Sequence, residues 1–125
     1  MIGSRRLAGM LGAVALAAAL APAAQASAAA AYVINEINVS DPGAFKTYAD
    51  QVPDTLKPFG GEYVVRGGAP EAMSGPAPAQ RVVILKFPSR DQARAWRGSA
   101  AYQKILPIRE ASSTSTVFLV DGVAP

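Results

Sequence analysis

Hydrophobic positions along this chain switch between two spacings. Ala31–Val39 (AYVINEINV) is rich in β-branched and aromatic residues and predicts a first strand. Asp41-Pro42 supplies an N-cap with proline at the first helical position, where its missing N–H costs nothing. Phe45, Tyr48, Ala49, Val52, Leu56 and Phe59 then recur every three or four residues, one apolar stripe of a helix. Pro53 falls inside that helix and removes a backbone hydrogen bond, which predicts a kink. Gly60-Gly61 ends it.

Glu62–Arg66 (EYVVR) reads as a second strand, with Gly67-Gly68 a bulge or bend. Ala69–Gln80, with Pro70, Pro76, Pro78 and Gly75, is a connection, and Arg81–Phe87 (RVVILKF) is the clearest strand. Ser89 caps a second helix, and Gln92 completes a capping box. Ala93, Trp96 and Ala100 are expected on its inner face. A further helical turn, Ala101–Leu106, is expected to end at Pro107. Ser112–Ser115 then reads as a polar connection, and Thr116–Val120 (TVFLV) as the last strand.

The order β-α-β-β-α-β predicts an α+β, ferredoxin-like domain: a four-stranded antiparallel sheet with both helices on one face. Yet Val83, Leu85 and Phe87 are apolar on one side of the third strand, and Val82 and Ile84 on the other. Strands apolar on both faces are buried on both. Two helices cover one face only, so the pattern predicts a homodimer in which a second sheet covers the other.

Residues 1–31 change the picture, because alanine there inflates the overall hydrophobicity. Arg5 and Arg6 precede the uncharged stretch Leu7–Leu20, Pro22 follows, and Ala24-Gln25-Ala26 and Ala26-Ser27-Ala28 both fit a small-residue cleavage site. This is the order of a secretory signal. The apolar core is short of the ~20 residues that span a bilayer. Residues 1–28 are therefore expected to be a signal peptide cut after Ala26 or Ala28, leaving no stable membrane anchor. Residues 29–125 form the single domain, exported to the periplasm or secreted.

Charge and missing residue types narrow the chemistry. Twelve Lys and Arg face nine Asp and Glu. Setting aside Arg5 and Arg6 leaves ten against nine, a net of +1, which is no footprint for nucleic acid. Cysteine and histidine are both absent. That excludes disulfides, thiolate or histidine metal sites and a serine–histidine triad. No cofactor and no metal are expected, so any chemistry rests on carboxylate, Tyr, Lys, Arg or Ser.

Asp41-Pro42, Val65-Arg66-Gly67-Gly68, Phe87-Pro88-Ser89, Ala93-Arg94-Ala95-Trp96, Ser99 and Tyr102-Gln103 occur in order across nearly the whole domain. With these stretches, the chain from about Ala31 to Val123 resembles the domain of unknown function 1330 family, in the dimeric α/β-barrel superfamily. Ala100-Ala101 stands where that family tends to have Pro-Glu. The resemblance implies a dimer whose sheets face one another around a cavity, and no assigned reaction. Wider relatives include cofactor-independent monooxygenases and lactone isomerases, a kinship of fold alone.

Six residues are candidates for a site. Glu36, mid-strand beside Tyr32 and Ile34, would become a base if the cavity desolvated it; paired with Lys86, it would be structural. Tyr48 and Tyr102 would donate to a bound carbonyl, or else be core with satisfied hydroxyls. Arg66, before the double glycine, would bind an anion through its planar fork or form a rim salt bridge. Trp96 is a substrate platform or packing. Arg109 either closes over the cavity mouth or is surface charge. The expected function is binding of a small, partly apolar molecule in the inter-sheet cavity, with cofactor-independent oxygenase or isomerase activity a further step. The alternative is a non-enzymatic dimerisation or protein-interaction module.

Overall fold

The computed structural model describes residues 29–125, and the signal peptide expected over residues 1–28 lies outside the described residues. Four strands, β1 (Ala31–Val39), β2 (Glu62–Gly68), β3 (Arg81–Phe87) and β4 (Ser113–Asp121), form one antiparallel sheet in the order β2-β3-β1-β4. Three helices, α1 (Pro42–Leu56), α2 (Arg90–Arg97) and α3 (Ala100–Ser112), connect them. This is the ferredoxin-like arrangement, with the expected helices α1 and α2 in place.

The helix starts follow from their caps. Asp41 Oδ1 accepts from Ala44 N at 3.1 Å, and Ser89 Oγ accepts from Gln92 N at 3.2 Å. Each satisfies a backbone donor that the first turn leaves free. Past Leu56 the chain makes one 3₁₀ turn, Lys57–Phe59, and Gly60 closes it at φ 70°, a left-handed conformation that suits glycine.

The C-terminal third differs from expectation. α3 does not stop at Pro107 but runs on to Ser112, and Ala100 is the exposed first residue of α3 rather than part of an inner face. An interior proline costs about 3 kcal/mol. Burial of Ile105 and Leu106 just before it offsets that, at roughly 1.5–3 kcal/mol per side chain. Nor is Ser112–Ser115 a loop, since β4 begins at Ser113. Ser112 Oγ donates to Ile108 O at 2.6 Å and Ser113 Oγ to Arg109 O at 2.7 Å. The two serines cap carbonyls at the helix end, which is why they are buried.

The sheet has two unlike faces. Ala31, Val33, Asn35 and Ile37 of β1 point under the helices and are buried. Leu85 and Phe87 join them from β3, and Trp96 and Tyr102 close the core from α2 and α3. Trp96 lies 5.4 Å from Phe87 and 4.2 Å from Tyr102 between ring centroids. On the other face, Ile34 stands between Ile84 and Phe118, and Tyr32 between Lys86 and Val120. Phe118 is 44% exposed and Val120 42% there. Both faces of β3 are apolar, as its pattern required. Among the described residues, only one is covered.

Candidate functional site

Between α1 and the β1-β3-β2 side of the sheet lies a pocket of about 220 Å³. Ile37, Val83 and Leu85 line it from the sheet, and Phe45, Tyr48 and Val52 from α1. These are the inward positions of strand and helix, so the periodicity that builds the core also builds the pocket walls. Asn35 is the polar exception: buried on this face, it donates its amide to Val83 O at 3.2 Å.

Two guanidinium groups stand at the pocket. Arg66 lies over the Tyr63 ring at 4.4 Å, and Arg81 over the Phe45 ring at 5.0 Å. Strict alternation would put Tyr63 and Arg66, three residues apart, on opposite faces. The pairing of β2 with β3 slips between Tyr63 and Val65 and again between Arg66 and Gly68, with Gly67 at φ 78°. The first slip sets Tyr63 opposite Leu85 and Arg66 opposite Val83, both facing the helices. Neither arginine forms an ion pair among the described residues. Asp50, also at the pocket, is paired with Lys46 at 2.7 Å.

Behind the pocket runs a chain of buried polar groups. Tyr48 and Tyr102 share a hydrogen bond of 2.8 Å between hydroxyls, and Arg109 Nη1 donates to the Tyr102 hydroxyl at 3.4 Å. Arg109 is only 6% exposed, forms no salt bridge among the described residues, and its Nε has no partner. Burial pushes the Tyr48 phenol well above its ordinary value; Tyr102 adds to the rise and Arg109 opposes it. Tyr48 is therefore a neutral hydroxyl, able to donate a hydrogen bond. Tyr63 is likewise raised by burial, against the pull of Arg66.

Of the six candidates, Tyr48, Arg66 and Trp96 line this pocket, and Tyr102 and Arg109 connect to it through Tyr48. Trp96 offers only its ring. Its Nε1 donates to Thr55 Oγ1 at 3.0 Å, which donates to Val52 O at 2.7 Å. Arg109 is neither a lid nor surface charge. Glu36 is separated from the others by the sheet, in an open polar recess with Asn38, Thr114, Thr116 and Pro78. It does not pair with Lys86, because β1 places Glu36 opposite Val82 and Tyr32 opposite Lys86. Four residues of strand put them roughly 13 Å apart.

Sequence reasoning did not single out Asn35, Tyr63 or Arg81. Asn35 had a signal, a polar residue between Val33 and Ile37 on the buried face. Arg81 had one too, sharing a face with Val83 and Leu85. Tyr63 had none, since its position depends on the bulge. Among the described residues no three acidic side chains cluster as a metal site would need, and no helix is long and apolar enough to cross a membrane.

The chain belongs to the family described as domain of unknown function (DUF1330), whose profile matches residues 30–123. No curated protein matches it in sequence. In structure it is similar to RPA0582, a protein of unknown function from Rhodopseudomonas palustris, with TM-score 0.66 and 16% identity over 82% of this chain and 89% of that one. A dimeric ferredoxin-like protein of unknown function from Thermobifida fusca gives TM-score 0.57 and 13% identity over 76% and 92% of the two chains. SnoaB, a cofactor-independent oxygenase from Streptomyces nogalater, gives 0.55 and 16% over 77% and 95%. At these identities the likeness is one of fold.

Proposed function

We propose that this member of the DUF1330 family is an exported homodimer, each protomer of which binds a small, partly apolar anion in the pocket beneath α1. The observation that carries the binding is the pair Arg66 and Arg81, cations without carboxylate partners among the described residues, beside an apolar wall. Guanidinium groups stacked on rings are held in place yet keep their donors free for a carboxylate or similar group. This site lies on the helix side of the sheet, not between two sheets, so each protomer carries its own.

Trp96 is the sole tryptophan and lines the pocket, so its fluorescence reports occupancy. Titration with benzoate, a small aryl carboxylate, is expected to give a saturable change. Replacing both arginines, Arg66→Gln with Arg81→Gln, weakens it about tenfold or more, since each lost bond to a charged group is worth about 1.5–3 kcal/mol. A parent protein that shows no saturable response contradicts the reading and favours a protein-interaction module.

Dimerisation is supported by the apolar open face around Ile34, Ile84 and Phe118, and by the Thermobifida protein described as dimeric. Phe118→Asp is expected to turn a sedimenting dimer into a monomer; a monomeric parent refutes it. Export predicts a mature N-terminus at Ser27 or Ala29, readable by N-terminal sequencing of the protein from its own compartment. Turnover without a cofactor is a second reading, favoured by the neutral Tyr48 hydroxyl at the pocket and by SnoaB's described activity.

A further inference from the structure

The hydrogen bond between Tyr48 and Tyr102 has no direction of its own, because either hydroxyl can donate. Arg109 supplies one. A guanidinium only donates, so the Tyr102 oxygen that meets Nη1 at 3.4 Å acts as its acceptor. Tyr102 is then disposed to send its proton to the Tyr48 oxygen. The Tyr48 proton is left without an acceptor among the described residues, on a side chain that lines the pocket. Each bond polarises the next, and burial strengthens the effect.

A second observation points the same way. A buried charge without a counter-charge is costly, and buried charges are ordinarily paired. Arg109 is 6% exposed with an orphaned Nε and no carboxylate among the described residues. Its cost is understandable if the charge acts on something that arrives from outside.

We infer that Arg109 is a positioning residue that orients the Tyr102–Tyr48 chain, so that Tyr48 donates a hydrogen bond to an oxygen acceptor on the ligand. This rests on the proposed pocket and deepens it. The ligand class becomes an apolar body bearing a carboxylate, phenolate or enolate oxygen within reach of Tyr48. Arg66, Arg81 and Tyr48 all line the one pocket, so the guanidinium groups meet the charge of that same group while Tyr48 donates to one of its oxygens.

The test compares two probes of similar shape on the full chain, benzoate with an oxygen acceptor and toluene without one, both followed by Trp96 fluorescence. The quantity read is the ratio of their affinities. Tyr48→Phe, which keeps the ring, is expected to lower the benzoate-to-toluene ratio about tenfold. Arg109→Met lowers it similarly, and Arg109→Lys, which keeps a donor and the charge, restores most of it. A purely structural Arg109 would weaken both probes together and leave the ratio alone, which overturns the inference. So does an unchanged ratio in Tyr48→Phe. A double-mutant cycle of Arg109→Met with Tyr102→Phe separates the chain from a direct pull of the charge. Coupling supports the chain, and additivity overturns it. If the parent binds neither probe, the pocket reading falls and the relay falls with it; if it binds both with unaltered ratios in the variants, the relay alone falls.

Discussion

Trp96 and Tyr102 lie ring against ring, yet the polar groups they carry finish in opposite ways. On the Trp96 side the indole donates to Thr55 and Thr55 donates to a backbone carbonyl, so every donor has an end within the fold. On the Tyr102 side a buried cation begins the chain, and its far end is a tyrosine at a pocket. A closed network adds specificity to a core at little risk. An open one burdens the fold, and that burden marks the place where something outside the chain completes it.

Perturbing the two sides should separate them. The largest effect is expected for Trp96→Ala, which removes a side chain 2% exposed, its two ring contacts and its hydrogen bond. A loss of about 3–5 kcal/mol should appear in urea denaturation. Thr55→Val leaves the Trp96 Nε1 without an acceptor, and its cost should be about 1–3 kcal/mol.

Tyr48 gives a signature in pH. Its folded value lies above the unfolded value of 10.0, so the folded state holds the proton more tightly. The stability this contributes is complete below that unfolded value and falls as pH rises past it, by about 1.4 kcal/mol per pH unit for one group. Tyr48→Phe should flatten the alkaline arm of the stability profile; Tyr63, also raised, keeps part of it.

The smallest effect is expected where a naive count of contacts would place a large one. Arg109→Met loses one long hydrogen bond and removes a buried charge that has no carboxylate partner among the described residues. Its unfolding free energy should stay within about 1 kcal/mol of the parent or rise. A loss near that of Thr55→Val would mean that the second network is structural as well, and the comparison would collapse.

Much of this was legible in the sequence. β1 and β3 have the residue bounds that alternation and β-branching indicated, and the caps Asp41 and Ser89 hold α1 and α2 where their side chains suggested. Local chemistry decides those features. Pro107 misled because its penalty is local, whereas the burial of Ile105, Leu106 and Ser112 that outweighs it is tertiary. The serines misled because their hydroxyls serve carbonyls of a helix that continues past Pro107. The site was only partly readable for the same reason. Tyr48, Arg66 and Trp96 can be named from their types, but residue type alone does not show that Glu36 faces the other side of the sheet. Arg66 reaches the helix side through a bulge that periodicity does not show. The Arg109 link spans seven residues and the Tyr48–Tyr102 link fifty-four, a pairing only the fold creates.

A crystal structure of the protein with benzoate would test the central claim most directly. The account predicts the ring against Phe45 and Ile37, and one carboxylate oxygen about 2.7 Å from Tyr48 Oη, the distance of a charge-assisted hydroxyl bond. Benzoate bound elsewhere, in the polar recess beside Glu36 or with no oxygen within reach of Tyr48, would contradict it.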